Sequence, residues 1–347
     1  MKILVTGGAG FIGSNFIHLV LVERNGWQIV NFDKLTYAGN LANLAAVSSH
    51  PCYTFIRGDV CDRHAVAAAM HGCDAVVHFA AESHVDRSIY EPAPFIQTNI
   101  TGTLVLLQVA SEKNINRFIQ ISTDEVYGDL PPGVSAQEES ALRPSSPYAA
   151  SKAGADLVVH SFVRTYGVPA IITRSSNNYG PYQFPEKFLP LLLVNALANQ
   201  NLPIYGDGRQ QRNWLHVEDN CRGILSVLER GCSGAVYNIG GQEVEDNLSM
   251  ARRVLRLLGK PESLIRHVAD RPGHDRRYAL NSSRIHAELG WCPLIALEDG
   301  LARTVAWYQQ NSDWVDAVRD GQYQRYYDKY YRNREASLAA LRNPKDE

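Results

Sequence analysis

The sequence predicts an α/β protein with a doubly wound parallel sheet and a smaller C-terminal lobe. Strand-like and helical segments alternate through the first half of the chain, which is the order expected for a parallel sheet. The first strand, Ile3-Leu4-Val5, is uniformly apolar, as are strands buried on both faces of such a sheet. From about Asn177 onward, prolines and glycines become frequent and the alternation loosens, which indicates a second, smaller lobe.

The alternating elements can be placed in order along the chain. Short apolar runs predict strands over residues 3–5, 27–32, 53–56, 75–79, 117–121 and 170–173. The intervening segments predict helices over residues 13–24, 64–70, 99–112 and 148–166. Two later apolar segments, 213–217 and 235–239, are compatible with either lobe.

Composition excludes several classes of protein. The 347 residues carry 34 basic and 36 acidic side chains, a net charge of −2, so the basic surface typical of nucleic-acid-binding proteins is not expected. The longest apolar run, 189–194, is too short to cross a bilayer, and the N-terminus lacks the pattern of a signal peptide. Six scattered cysteines form no metal-binding pattern. We therefore expect a soluble cytoplasmic protein with reduced cysteines and without a metal site.

A glycine-rich turn follows the first strand. Gly7, Gly10 and Gly13 have the spacing that lets backbone N–H groups approach a pyrophosphate at the start of a helix. Asp33 follows twenty residues after Gly13, at the end of the second strand, where a carboxylate accepts hydrogen bonds from ribose hydroxyls and repels a 2′-phosphate. The pattern predicts binding of NAD rather than NADP, and the adjacent Lys34 is the one feature that argues the other way.

Two further positions after predicted strands fit a dinucleotide site. Asp59-Val60 follow the third strand, where a short polar residue can meet the adenine edge; the alternative is that Asp59 caps the next helix. Ala80-Ala81 follow the fourth strand, where small side chains leave room for the cofactor against the backbone.

Tyr148 and Lys152 stand four residues apart, so on a helix they share one face. A phenol has an ordinary pKa of about 10, and a neighbouring ammonium together with an oxidised nicotinamide favours its ionised form. Tyr148 is therefore a candidate base for a sugar hydroxyl that is being oxidised.

The fifth strand ends in Thr123-Asp124-Glu125, at the edge where open parallel sheets hold their ligands. Thr123 is placed to hydrogen-bond the reacting hydroxyl together with Tyr148. Two adjacent acids repel each other, so one is expected to keep its proton. Elimination of water needs such an acid and a base, whereas the alternative interpretation is a solvated turn with capping acids.

Three cations in the second half suit diphosphate oxygens, namely Lys187, Arg212 and Arg271. Lys187 lies on a proline-bounded segment, and an ordinary solvated lysine is the alternative there.

These residues and motifs together resemble the extended short-chain dehydrogenase/reductase family, and within it the dTDP-glucose 4,6-dehydratase branch. The resemblance extends from Met1 to about Gln310. The branch-specific segments are residues 80–88, 123–128, 177–187 and 271–278.

The resemblance implies a reaction and a role for each catalytic residue. Tyr148 would be the base for oxidation at C4, and Lys152 would lower its pKa and hold the ribose. Asp124 would protonate the C6 hydroxyl, and Glu125 would remove the C5 proton. NAD would be regenerated in each turnover and remain bound, which makes the protein a lyase that forms a 4-keto-6-deoxy sugar.

The resemblance also implies the remaining contacts. Further cofactor contacts are Phe11, Ile12, Thr36, Thr98 and Asn178. Substrate contacts are Ser83, Asn177, Lys187, Phe188, Pro203, Tyr205, Arg212, Asn247, Arg271 and His274. His274 is expected to position the substrate rather than act as a base, because no partner acid is evident. Tyr331 aligns only loosely with a substrate tyrosine, and ordinary helix packing is the stronger interpretation for it.

The expected organisation has an NAD-binding Rossmann domain over residues 1–176. Residues 177–335 mainly form a nucleotide-sugar-binding lobe with some segments returning to the sheet, and residues 336–347 form a polar tail. The resemblance implies a homodimer in which helices 98–112 and 148–166 pair as a four-helix bundle.

Besides the dehydratase, two other interpretations of these residues are possible. A nucleotide-sugar 4-epimerase or decarboxylase would keep the glycines, Thr123 and Tyr148, but would not need the Asp124–Glu125 pair. A non-catalytic NAD-binding module could discard Tyr148 and Lys152. The same dehydratase chemistry on UDP-glucose also remains open, as does the deoxysugar pathway that the enzyme serves.

Overall fold

The computed structural model describes residues 1–319, together with Asp328 and Leu338. The strands are β1 (Lys2–Thr6), β2 (Gln28–Asp33), β3 (Tyr53–Arg57), β4 (Ala75–His78), β5 (Arg117–Thr123), β6 (Ala170–Ser175), β7 (Asn177–Tyr179), β8 (Leu202–Tyr205), β9 (Gln211–His216), β10 (Val236–Ile239), β11 (Glu243–Asp246) and β12 (Ile265–Val268). The helices are α1 (Phe11–Glu23), α2 (Arg63–Ala69), α3 (Val85–Tyr90), α4 (Ala93–Phe95), α5 (Gly102–Glu112), α6 (Pro147–Tyr166), α7 (Phe188–Leu197), α8 (Val217–Arg230), α9 (Asn247–Leu257), α10 (Ser283–Leu289), α11 (Leu297–Gln310) and α12 (Ser312–Val318).

A seven-stranded parallel sheet forms the centre of the described part of the chain. Its order is β10-β6-β5-β4-β1-β2-β3, so the direction of strand addition reverses between β1 and β4. In open sheets of this kind, ligands bind outside the carboxyl ends of the strands at the reversal. The predicted doubly wound parallel sheet is confirmed, and its topology places the binding crevice beside β1 and β4.

Two apolar cores cover the faces of the sheet. Ile3 and Val5 of β1 point into a core with α1 and α8, whereas Leu4 points into the opposite core with α2, α5 and α6. Successive side chains of a strand alternate between the two faces, so a strand buried on both faces must be apolar at every position. This explains the uniform composition of the first strand.

The six predicted strands are all present, with small differences at their ends. The helix predicted at 99–112 begins earlier, because α4 continues through a π-helical segment at Ile96–Thr101 into α5. Of the two segments left open, 235–239 joins the main sheet as β10, whereas 213–217 belongs mostly to β9.

The smaller lobe contains a three-stranded sheet, β11-β9-β7, and a two-stranded sheet, β12-β8. Its core gathers apolar side chains of α7, α9 and α11 around Tyr179 and Trp214. Within the described residues, no helix combines the length and the apolar character that a membrane span requires. Tyr331 and the predicted tail, apart from Leu338, lie outside the described residues.

Candidate active site

A cavity of about 420 Å³ opens at the carboxyl ends of the central strands, between the sheet and the smaller lobe. Every residue predicted for the site lines this cavity, with the exception of Tyr331, which lies outside the described residues. The fold therefore brings together residues from Gly7 to His274 that are distant in the sequence.

The glycines of the turn allow backbone segments of the protein itself to pack closely beside the cavity. Gly7 has φ +71°, and a Cβ on it would lie 2.5 Å from the backbone nitrogen of Ala80. A Cβ on Gly13 would lie 2.4 Å from the carbonyl oxygen of Gly7. Gly10 is the N-cap of α1, so the helix begins at the cavity. A helix N-terminus that faces a cavity offers backbone N–H groups, which are the donors that a pyrophosphate requires.

Asp33 is held in place at the end of β2. Its Oδ2 accepts from the backbone N–H of Ala9 at 2.9 Å, and its Oδ1 accepts from that of Leu35 at 2.8 Å. Burial raises the pKa of this carboxyl, although the two backbone donors act in the opposite direction. Each carboxylate oxygen can accept more than one hydrogen bond, so the ribose contact predicted for Asp33 is compatible with these bonds.

The charge of Lys34 is balanced within the chain. Its ammonium lies 2.7 Å from Oδ2 of Asp59, which offsets part of the positive charge that Lys34 would offer a 2′-phosphate. The alternative proposed for Asp59 is wrong, because Asp62 rather than Asp59 caps α2 by accepting from the backbone N–H groups of His64 and Ala65.

The acid pair sits in a short 3₁₀ turn, Asp124–Tyr127, directly after β5. Thr123 caps this turn: its hydroxyl accepts from the N–H of Glu125 at 3.3 Å and donates to Oδ1 of Asp124 at 3.2 Å. Asp124 is only 3% exposed. Burial, and then the neighbouring charge of Glu125, raise the pKa of Asp124 to about 7. A carboxyl with this pKa is a suitable proton donor near neutral pH.

Tyr148 and Lys152 lie in the first turns of α6, which begins at Pro147 with Ser146 as its cap. The ammonium of Lys152 donates to the carbonyl of Ile121 at 2.6 Å. Burial lowers the pKa of Lys152 to about 8, and Asp156 opposes this effect. Burial, and then the charge of Glu125, raise the pKa of Tyr148 well above its ordinary value. The sequence predicted a lowered pKa for Tyr148, and the side chains around it do not by themselves produce that lowering.

The three predicted cations line the same cavity as the catalytic residues. Lys187 donates to the carbonyl of Ser83, and its Nζ lies 6.0 Å from the ring centre of Tyr148, so it is not an ordinary solvated lysine. Arg212 is buried against the ring of Tyr278, 4.4 Å from its centre. Burial alone would lower the pKa of Arg271, but the carboxylates of Asp86 and Glu125 outweigh it and raise the pKa.

His274 differs from its expectation in one respect. It does have a partner acid, because Oδ1 of Asp270 lies 2.6 Å from its Nδ1. Burial nevertheless lowers the pKa of His274 to about 4, so the ring is neutral at physiological pH. A neutral imidazole held by a carboxylate is well suited to positioning a ligand.

Several cavity residues were missed by the sequence analysis. Asp86 accepts from the hydroxyl of Tyr205 at 2.5 Å and lies 3.4 Å from Nη1 of Arg271, so it orders two predicted substrate contacts. Glu186 is buried beside Lys187. Asp86 lies in the branch-specific segment 80–88 and Glu186 in the segment 177–187, so the family resemblance could have pointed to both acids.

Comparison with known proteins agrees with this geometry. Residues 4–304 match the profile of the family described as GDP-mannose 4,6 dehydratase. A dTDP-glucose 4,6-dehydratase from Streptomyces niveus is 49% identical over 323 residues, which are 92% of this chain and 96% of the relative. The chain belongs to the dTDP-glucose 4,6-dehydratase family.

Solved structures place this family among nucleotide-sugar enzymes that share its fold. The crystal structure of DesIV, a dTDP-glucose 4,6-dehydratase from Streptomyces venezuelae with NAD and TYD bound, superposes with a TM-score of 0.90. It is 49% identical, and the match covers 92% of this chain and all of that one. A UDP-glucose 4-epimerase from Thermotoga maritima superposes with a TM-score of 0.84 at 30% identity, over 90% of this chain and all of that one. The fold alone therefore does not separate dehydratase from epimerase, and the side chains in the cavity must.

Proposed function

We propose that the chain is a hydro-lyase that converts dTDP-glucose into dTDP-4-keto-6-deoxyglucose. The observation that carries this proposal is the Asp124–Glu125 pair, which lines the cavity beside Tyr148 and includes a carboxyl with a pKa of about 7. An enzyme that only inverts C4 needs no such pair. The proposal extends to NAD, because the start of α1 at the cavity and the carboxylate of Asp33 fit a dinucleotide.

Each residue has a task that follows from its surroundings. When bound, NAD supplies a hydride acceptor for C4 and later a hydride donor for C6, so it is regenerated in each turnover. Tyr148 takes the proton of the C4 hydroxyl, which Thr123 also contacts. Lys152 lines the cavity as a cation and favours the phenolate that this step needs.

The acid pair performs the elimination once C4 is a ketone. The ketone acidifies the neighbouring carbon, so Glu125 can remove the proton at C5. Asp124 gives its proton to the C6 hydroxyl, which leaves as water while a double bond forms between C5 and C6. Hydride addition at C6 and protonation at C5 then complete the 4-keto-6-deoxy sugar.

The positive charge that lines the cavity suits a nucleoside diphosphate. Lys187, Arg212 and Arg271 place three cationic side chains there, and Asp86 and Tyr278 hold two of them in position. Charge-assisted hydrogen bonds to phosphate oxygens are among the strongest contacts available to a protein. The base of the nucleotide is assigned as thymine because the relatives named above are dTDP-glucose enzymes.

A direct test incubates the purified protein separately with dTDP-glucose, UDP-glucose and GDP-mannose without added NAD, followed by mass spectrometry. We expect a product lighter by one water from dTDP-glucose. Turnover of UDP-glucose alone would move the assignment to the uridine nucleotide. Recovery of only an unchanged mass with an inverted C4 would identify an epimerase and refute the proposal.

The role of Glu125 can be tested separately with Glu125→Gln. This variant should still reduce the bound NAD when dTDP-glucose is added, but it should stall before water loss, because an amide cannot take the C5 proton. Glu138→Gln is the matched control, since Glu138 is a buried glutamate outside the cavity whose Oε1 accepts a backbone N–H. Normal dehydration by Glu125→Gln would show that another group is the base.

We further propose that the chain forms a homodimer in which α5 and α6 of each copy build a four-helix bundle. The two helices pack side by side. Ile96, in the π-helical segment before α5, and Leu157, on α6, are 45% and 61% exposed. A two-fold axis would bring the same patch of both copies together. Leu157→Glu should therefore give a monomer in analytical ultracentrifugation, whereas Val22→Glu, at the 81% exposed Val22 on α1, should not.

A cytoplasmic location is the last part of the proposal. The six cysteines are all free, and Cys221 is buried in the core that contains α1 and α8. Free cysteines are typical of proteins in reducing compartments. Fractionation of the source cells should recover the protein in the cytoplasmic fraction, and recovery from an oxidising compartment would contradict this part.

A further inference from the structure

A cluster of three side chains joins the two walls of the cavity at its cofactor end. We call Tyr37, Arg87 and Glu186 the latch. Tyr37 belongs to the loop after β2, whose neighbouring residues Thr36 and Ala38 line the cavity. Glu186 immediately precedes Lys187 at the start of α7, in the other half of the chain. The latch therefore connects the predicted cofactor loop to the predicted diphosphate segment.

The contacts within the latch are short. The hydroxyl of Tyr37 donates to Oε1 of Glu186 at 2.8 Å. Oε2 of Glu186 lies 3.2 Å from Nε of Arg87, and the guanidinium of Arg87 lies 3.7 Å from the centre of the Tyr37 ring. Each member thus contacts both others, which makes the latch a closed triangle rather than a single bond.

The surroundings of the latch oppose its opening. Glu186 is only 2% exposed, and a buried carboxylate that loses its partners is costly. The backbone carbonyl of Glu186 lies 3.2 Å from Nε2 of His84, and the ring of Phe184 packs edge-on against Tyr37. Opening the cofactor loop would therefore break the contacts of Tyr37 with Glu186, Arg87 and Phe184 together, while His84 holds Glu186 in place.

We propose that the latch keeps the dinucleotide in the protein between turnovers. This inference rests on the proposed use of NAD. The loop that carries Thr36 and Ala38 must move before a dinucleotide can leave that wall, and the Tyr37–Glu186 hydrogen bond fastens the loop. An enzyme that regenerates its cofactor in every turnover gains nothing from releasing it, so a fastened loop suits the chemistry.

The latch also couples the two ligands. Because Lys187 follows Glu186 directly, a nucleoside diphosphate held by Lys187 restrains Glu186 and thereby the cofactor loop. Thymidine diphosphate should therefore slow NAD release from the parent protein. By linkage, NAD should raise the affinity for thymidine diphosphate by the same factor by which thymidine diphosphate raises the affinity for NAD.

The test measures NAD release from Tyr37→Phe, which keeps the ring beneath Arg87 and removes only the hydroxyl. The holoprotein is mixed with excess labelled NAD, and the exchange rate is followed with and without thymidine diphosphate. We expect exchange at least about tenfold faster than in the parent, as for loss of a hydrogen bond to a charged group. We also expect a weaker effect of thymidine diphosphate and less NAD that copurifies with the variant.

Tyr237→Phe is the matched control. Its hydroxyl also donates to a glutamate, Oε2 of Glu288 at 2.6 Å, but the pair lies outside the cavity. Exchange in this variant should match the parent. Should Tyr37→Phe not fold, Glu186→Gln probes the same triangle, because it keeps an acceptor for Tyr37 and removes the charge that faces Arg87.

Parental exchange rates in both Tyr37→Phe and Glu186→Gln would overturn the latch. Equal acceleration in Tyr237→Phe would also overturn it, since the effect would then be general. The exchange measurement needs no turnover, so it separates the two proposals. A parent that retains NAD through the latch but does not dehydrate dTDP-glucose would refute the proposed function and leave the latch standing.

Discussion

Replacement of Asp124 by asparagine should make the protein more stable while abolishing its activity. Burial and Glu125 raise the pKa of Asp124 from 3.8 to about 7. A carboxyl with a raised pKa contributes stability below its unfolded pKa and loses it as the pH rises toward the folded pKa. The protein therefore loses this stability between about pH 4 and pH 7. A shift of about three units corresponds to at most about 4 kcal/mol, at 1.36 kcal/mol per unit.

Asparagine does not titrate, so Asp124→Asn should not lose stability when the pH rises through this range. Its advantage in free energy of unfolding should grow by about 1.4 kcal/mol per pH unit between pH 5 and 6.5 and level off above about pH 8. Chemical denaturation of the holoprotein at several pH values, with equal excess NAD, measures it. Asp299→Asn, at an exposed position on α11, controls for the loss of one negative charge. An advantage that does not change between pH 5 and 8 would refute the raised pKa of Asp124.

Three further substitutions test other parts of the site. Tyr148→Phe should slow both NAD reduction and dehydration by about 10²- to 10⁴-fold in stopped-flow absorbance, because the proton acceptor at C4 is lost; unchanged NAD reduction would contradict its role. Gly7→Ala should copurify without NAD and melt at a lower temperature, since its Cβ would lie 2.5 Å from the nitrogen of Ala80 at a φ of +71°. Asp156→Asn should move the alkaline limb of the pH–rate profile to lower pH, because Asp156 opposes the burial that lowers the pKa of Lys152 to about 8. An unmoved limb would show that Asp156 serves only its buried ion pair with Arg174.

Local sequence was sufficient to predict the central sheet and the cofactor turn. β1 is apolar at each buried position because both faces are covered, and the turn after it needs glycine where Ala80 approaches. Such requirements act over a few residues, so they leave a readable pattern. The later segments were ambiguous, because a short apolar run such as 235–239 suits any buried strand, and its partner is β6, which lies far away in the sequence.

The sequence alone determined the chemical groups available: a dinucleotide turn, the Tyr148–Lys152 pair, and two adjacent acids after β5. Only the tertiary structure decided their properties. Whether Asp124 holds a proton near pH 7 depends on burial and on the charge of Glu125, whereas His274 is neutral despite Asp270 because burial dominates. The tertiary structure also decided the partners of other side chains. Lys34 forms an ion pair with Asp59, and Glu186, from the other half of the chain, accepts a hydrogen bond from Tyr37. Protonation and partner choice depend on distance and solvent exposure, and those quantities arise only when remote segments pack together.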